Sequence, residues 1–162
     1  TKSIVLKNSL TSKESQSAEE QSILEQLQNC NTIIIKEQQK NVELKKEGSI
    51  DAMHQLKEQS RMMKEALLKG RLGEIGEILD FGFQQKRKMA ANISNHIIEE
   101  IYEAAKKAGA SGGKISGAGG GGFMIFYCPG NTRYKVIDTL GQFGGEVKQY
   151  TFTKNGLRTW AV

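Results

Sequence analysis

The sequence predicts an α+β fold in which several helices pack on one face of a small antiparallel sheet. Three observations carry that reading. No proline interrupts the first 128 residues, Pro129 being the only one in the chain, and apolar residues over most of that stretch recur at spacings of three and four. Eight of the 18 glycines then fall between Gly109 and Gly122. After them the pattern changes to short apolar runs separated by turn signals. The last of these signals, Asn155-Gly156, is the strongest short marker of a hairpin.

Residues 3–6 read as a short strand, followed by a polar loop over 8–16. Ser17 and Glu20 make a capping box that opens a helix with Ile23, Leu27 and Cys30 on its apolar face. A second helix is expected from Thr32 to about Lys46, with Gly48 as its stop. Ser49 would cap a third, where Met53, Leu56, Ser60, Met63 and Leu67 form the apolar stripe and Gly70 ends the helix. The fourth runs from Leu72 to about Ala91, with Ile75, Leu79, Gly82, Lys86 and Met89 on one line. Asn95 caps the fifth, whose buried face is Ile98, Ile101, Ala105 and Ala108, and Gly109 stops it. Strands are expected at 114–116, 123–128, 146–153 and 157–162. A helix over 132–143 packs through Val136, Leu140 and Phe143. Met53, Met63 and Met89 are assigned to the core, and His54 and His96 to exposed or cap-adjacent positions.

Composition narrows the class. A length of 162 residues suits one domain, and 38% hydrophobic with 25% charged residues describes a globular chain on the polar side. No apolar run approaches the roughly 20 residues of a membrane helix, so no membrane partner is expected. Cys30 and Cys128, the only cysteines, have neither metal-like nor redox-like spacing. With only two histidines besides, no metal site is expected, and a cytoplasmic protein fits best. The N-terminus has no signal-peptide core and no initiator Met, as in a processed or trimmed chain or a piece of something longer. The net charge of +5 favours an anionic partner without naming one.

Three glycine motifs compete for residues 112–122. Glycines 117, 119 and 122 match the dinucleotide-binding spacing, but an apolar strand follows them where a helix is required to meet the pyrophosphate. Asp80-Phe81-Gly82 would supply the metal triplet of a protein kinase. It precedes the glycines instead of following them, lies in a helical pattern, and has no His-Arg-Asp partner. No Lys-Ser or Lys-Thr pair follows the glycines as a P-loop needs. What remains is the uninterrupted string Gly112-Gly113-Lys114-Ile115-Ser116-Gly117-Ala118-Gly119-Gly120-Gly121-Gly122. Each glycine costs on the order of 1 kcal/mol relative to Ala in a regular element. An ordinary connector needs one or two, so this run points to backbone N–H groups that approach an anion closely.

Residues 114–122, set between a helix ending in Ala108-Gly109 and an apolar strand, resemble the third signature motif of the GHMP kinases. That superfamily takes in galactokinase, homoserine kinase, mevalonate kinase and phosphomevalonate kinase. Residues 53–70, the 86–95 segment ending Ile93-Ser94-Asn95, and Gly156-Leu157-Arg158-Thr159-Trp160 are similar to its sugar-kinase branch. The resemblance covers roughly residues 33–162; residues 1–31 match poorly. It implies the ferredoxin-like C-terminal domain of a two-domain, cytoplasmic kinase, with the whole chain as that one domain. It further implies ATP and Mg2+ as cofactors and a sugar phosphate as substrate, with transfer to the anomeric hydroxyl of a D-glycero-D-manno-heptose 7-phosphate; a different sugar kinase of the same superfamily is the near alternative.

The nucleotide loop and the catalytic Asp of such kinases lie in an N-terminal domain, the implied partner. No Gly-Leu-Gly-Ser-Ser string occurs here, so no catalytic residue is expected in this chain, and alone it should not turn over. By the same resemblance Ser116, Gly117, Ala118, Gly119 and Gly120 face the active-site cleft. Lys86, unusual on an apolar stripe, becomes a candidate for the substrate's non-transferred phosphate, with Arg87 or Lys88 assisting; a snorkelling stem explains it equally well. Lys13 and Ser15 fit better as part of a solvated loop. A distant alternative is a non-catalytic module holding a phosphorylated ligand or single-stranded nucleic acid, with Tyr150, Phe152 and Trp160 as stacking platforms. A buried sheet face accounts for those aromatics more simply, which disfavours nucleic acid.

Overall fold

In the computed structural model the described residues are 4–7 and 18–148. The chain runs β1 (Ile4–Lys7), α1 (Ala18–Glu43), α2 (Glu47–Leu68), α3 (Ile75–Arg87), α4 (His96–Ala108), β2 (Gly112–Ser116), β3 (Phe123–Tyr127), α5 (Thr132–Gly141) and β4 (Glu146–Lys148). Short 3₁₀ turns at Leu72–Glu74 and Ala91–Ile93 flank α3. The sheet order is β2-β3-β1-β4 with every neighbour antiparallel. That is the split β-α-β-β-α-β arrangement of the ferredoxin-like fold: the crossover from β1 to β2 skips a position, which β3 then fills. The Ser17 capping box, the Asn155-Gly156 hairpin, Lys13, Ser15, Tyr150, Phe152 and Trp160 lie outside the described residues.

The helix ends show which local signals hold. Asn95 Oδ1 accepts the Ile98 N–H at 2.9 Å, so the expected cap of α4 is in place. Gly109, at φ 113°, closes the same helix, with Ala110 N–H reaching the Ala105 carbonyl. Gly70, at φ 68°, ends α2 in the same way through Arg71 N–H to Ala66 O.

Other expectations are corrected. There is no break near Thr32, because its hydroxyl bonds back to the Gln28 carbonyl at 2.9 Å and is satisfied inside one continuous α1. That helix stops at Glu43, and Lys45 takes the left-handed position (φ 49°) where glycine is commoner. Lys46 N–H to Asn41 O and Lys45 N–H to Val42 O complete the motif. Gly48 therefore sits in the first turn of α2. Ser49 caps nothing; it is buried, with its Oγ 3.4 Å from the Met89 carbonyl.

The buried seam of α2 is also one position round from the expected stripe. Ser49, Ala52 and Ala66 are buried, with Leu56, Gln59 and Met63 half-buried between them. Met53 and Leu67 are 42% and 54% exposed, so Met53 is not a core residue. Small side chains let α3 approach closely. A Cβ on Gly82 would lie 2.1 Å from Gln59 Nε2, and that nitrogen donates to the Ile78 carbonyl. Helix α3 in turn touches the sheet backbone to backbone, since a Cβ on Gly112 would fall 1.9 Å from the Gly76 carbonyl oxygen. It ends at Arg87, earlier than the expected Ala91.

The main core lies between α3, α4, α5 and one face of the sheet, centred on Phe83, Tyr102, Ile115, Phe126, Val136 and Leu140. Fully burying side chains of this size stabilises by about 1.5–3 kcal/mol each. Tyr102 ties the layers together, its ring stacking at 4.5 Å on Phe83 and 5.8 Å from Phe126. Its hydroxyl donates to Asp80 Oδ1 and accepts the Gly113 N–H at 3.3 Å. Burial, then the Asp80 hydrogen bond, pushes the phenol well above its ordinary value. Asp80 of the apparent kinase triplet is thus a structural acceptor inside α3.

Candidate functional site

Strand β2 delivers the chain to the glycine loop with Ile115 buried and Lys114 and Ser116 exposed on the other face. The backbone then leaves the sheet through five positive-φ glycines: Gly117 (109°), Gly119 (120°), Gly120 (73°), Gly121 (155°) and Gly122 (98°). Their lack of Cβ serves two different ends. At Gly117 nothing lies within 4 Å of where a Cβ would be. At Gly119 that atom would stand 2.6 Å from the Ile93 carbonyl oxygen, and at Gly120 2.8 Å from Ile34 Cδ1 and 3.2 Å from Cys30 Sγ. The middle of the loop is therefore pressed onto α1 and the 3₁₀ turn Ala91–Ile93. Gly120 N–H donates to Ile93 O at 2.9 Å, and Ala118 packs against the cluster of Ile34, Ala90 and Ile93.

Three side chains from three elements hold the loop's carbonyls. Lys86 Nζ of α3 donates to Gly117 O. Gln38 Nε2 of α1 donates to Ala118 O at 3.4 Å, and Asn95 Nδ2 donates to Gly120 O at 3.4 Å. In a trans peptide the carbonyl and the next residue's N–H point in opposite directions, and the described chain has no cis bond. Each held carbonyl fixes the plane of its own peptide, and with it the direction of the N–H of Ala118, Gly119 or Gly121 opposite. N–H groups that converge in this way are what an anion-binding concavity is made of.

Lys86 is half-buried at the loop's edge. Burial, and secondarily the ammonium of Lys114, holds it below its ordinary value. Arg87, its sequence neighbour, turns elsewhere: its Nε pairs with Glu99 at 3.1 Å and its guanidinium lies 5.7 Å from the Phe83 ring centroid. Arg87, Lys88 and Ser94 line a polar pocket of about 380 Å³. A second, apolar cavity of about 220 Å³ lies between the first turns of α4 and glycines 120–122, walled by Ile97, Ile98, Ile101, Ile115 and Met124.

The candidate residues Ser116, Gly117, Ala118, Gly119 and Gly120 thus share one loop, and Lys86 reaches it from 31 positions earlier in the chain. Gln38 and the carbonyl of Ile93 carried no signal in the sequence. Asn95 was legible only as a cap. Both histidines are exposed, and among the described residues no group of three or more His, Cys, Asp or Glu side chains could hold a metal ion. No described helix is long and apolar enough to cross a membrane.

The structure thus joins a ferredoxin-like sheet to a glycine loop anchored on α1, α3 and the start of α4. The family model of the GHMP kinase C-terminal region matches residues 63–146, more than half of the chain, and the chain belongs to that family.

Among curated relatives, D-glycero-alpha-D-manno-heptose 7-phosphate kinase of Campylobacter jejuni is 37% identical over 126 residues, 78% of this chain and 37% of that protein. Mevalonate kinase of Pyrococcus abyssi is 39% identical over 69 residues, 43% of this chain and 20% of that one. Among solved structures, a putative sugar kinase from Campylobacter jejuni superposes over 99% of this chain and 39% of its own, with 28% identity and a TM-score of 0.56. Mevalonate kinase from L. major, in complex with R-mevalonate, covers 91% of this chain and 41% of its own at 17% identity and a TM-score of 0.70, a likeness of fold. The chain spans little more than a third of the heptose phosphate kinase it matches.

Proposed function

We propose that this chain is, as a whole, the C-terminal domain of an ATP- and magnesium-dependent sugar-phosphate kinase that phosphorylates the anomeric hydroxyl of D-glycero-D-manno-heptose 7-phosphate. The observation that carries the reading is the loop of residues 116–122, whose carbonyls at Gly117, Ala118 and Gly120 are held by Lys86, Gln38 and Asn95. The similarity to the Campylobacter heptose phosphate kinase supports the acceptor.

Phosphoryl transfer asks mainly for alignment of the reacting groups and for stabilisation of charge spread over the transferred oxygens. On this reading the N–H groups of the held peptides at Ala118 and Gly121 supply fixed donors for such charge, and a rigid loop costs little to organise at the moment of reaction. Ser116, exposed where β2 ends, adds a hydroxyl at the loop's entrance. The described residues offer no carboxylate cage for magnesium. The metal, the nucleotide loop and the base that activates the acceptor belong on this reading to an N-terminal domain. The fragment alone is then inactive.

The test is ADP release with Mg-ATP across a panel of sugar phosphates, on this chain and on the complete polypeptide that carries it. Turnover by the complete polypeptide alone, with the heptose phosphate preferred, is the expected result. Preference for another acceptor would replace the substrate assignment. No turnover in either, with salt-sensitive binding of single-stranded oligonucleotides, would overturn the kinase reading in favour of a binding module.

A further inference from the structure

We infer that Lys86 is a positioning residue: its ammonium holds the Gly117 carbonyl and thereby aims the Ala118 N–H, in the same peptide plane, at the phosphate group the loop receives. The inference rests on the loop being the phosphate-facing element, and it changes the role that sequence position suggested for Lys86, direct contact with a substrate phosphate. The geometry separates the two. Lys86 Nζ sits on the carbonyl side of the Gly117–Ala118 peptide, whereas the N–H of that planar unit points the opposite way. An anion received by the Ala118 N–H is therefore across the peptide from the ammonium.

The surroundings of Lys86 agree. Among the described residues the charge that bears on it is the ammonium of Lys114 rather than a carboxylate, and the Gly117 carbonyl accepts its hydrogen bond. The Gly117 end of the peptide it holds has less packing around it than the loop's middle. Gly117 has nothing within 4 Å of its Cβ position, while Gly119 and Gly120 are already pressed onto Ile93 and Ile34. Downstream, packing and the Gly120–Ile93 hydrogen bond fix the backbone; upstream, Lys86 does. A charge-assisted bond is the stronger kind of hydrogen bond, which suits a residue with nothing within 4 Å of its Cβ position.

The test uses the complete polypeptide labelled with ¹⁵N-alanine, with Ala118→Gly identifying the Ala118 amide signal. In Lys86→Met that signal should move before any ligand is added, while the amides of the buried Ala52, Ala66 and Ala105 stay in place and show the fold intact. Pyrophosphate, which shifts the Ala118 amide of the unmodified protein, should bind about 10–100-fold more weakly to the variant. The kcat for phosphoryl transfer should fall at least tenfold, with the acceptor KM little changed. Lys86→Arg, which keeps a donor and a charge, should restore both measurements to within a few-fold.

An Ala118 amide unmoved in Lys86→Met would overturn the inference. So would a rise confined to the acceptor KM, which marks a direct substrate contact. If the unmodified protein's Ala118 amide ignores pyrophosphate, the phosphate-facing reading of the loop falls and this inference falls with it. That outcome is recognisable because it needs no variant.

Discussion

Replacing Gly119 by alanine tests whether the loop is clamped to the 3₁₀ turn, and Gly117→Ala is its internal control. Both glycines have φ in the region that L side chains avoid, 120° and 109°, so both variants incur backbone strain of about 1–3 kcal/mol. They differ in what the new methyl meets. At Gly117 it meets open space. At Gly119 it would stand 2.6 Å from the Ile93 carbonyl oxygen and 2.8 Å from the Ile93 Cα, backbone atoms with no rotamer to change. Ile93 cannot retreat, being completely buried with Ile34 and Ala90. The loop has to lift instead. Lifting breaks the Gly120 N–H bond to Ile93 O, whose loss with a partner left unsatisfied costs about 1–3 kcal/mol.

Gly119→Ala should therefore be less stable than Gly117→Ala by about 2 kcal/mol or more. In a chain of this length that is a difference of roughly 4–8 °C in Tm. Urea titrations of the two variants, compared at equal slope, measure it directly. Midpoints that agree within about 0.5 kcal/mol would refute the clamp, and with it the claim that the loop is anchored rather than merely connecting two strands.

Asn95→Asp should preserve α4, since aspartate caps a helix N-terminus about as well as asparagine, while removing the donor to Gly120 O. Thermal stability should move little and turnover of the complete polypeptide should drop about tenfold or more, an effect worth at least 1.4 kcal/mol; equal turnover would remove Asn95 from the loop's support. Tyr102→Phe leaves Asp80 and the Gly113 N–H without the hydroxyl between them, and denaturant unfolding at pH 8 should show a loss of about 2–3 kcal/mol. Because the folded state raises the phenol above its ordinary value of 10.0, the stability from this tyrosine is present below about pH 10 and lost above it. The gap between the wild-type chain and Tyr102→Phe should accordingly narrow between pH 9 and 11, and a constant gap would contradict the buried hydrogen bond. The two thiols should separate cleanly with a disulfide reagent at pH 8. Exposed Cys30 should react and Cys128, buried and pushed up to about 11, only after denaturation; fast reaction of both would mean the β3 end of the core is open.

Local signals were legible wherever one residue's own backbone or side chain closes the hydrogen bonds beside it. Asn95, Gly70 and Gly109 are of that kind, and so is the change from helical to strand periodicity around the glycine run. The α2 stripe misled because hydrophobicity ranks Met53 and Leu67 above Ala52 and Ala66, whereas close approach to α3 selects small residues. Thr32 misled because a hydroxyl that caps a helix start can equally bond back within one.

Fold class, the glycine loop and its place between β2 and β3 follow from residue type over a few positions, where periodicity, caps and positive-φ requirements are written. Which glycine lies over a carbonyl, which faces open space, and the convergence of Lys86, Gln38 and Asn95 on one loop depend on the folded chain. Those partners come from α3, α1 and the start of α4, and their meeting depends on how closely three helices pack. No local spacing encodes that distance.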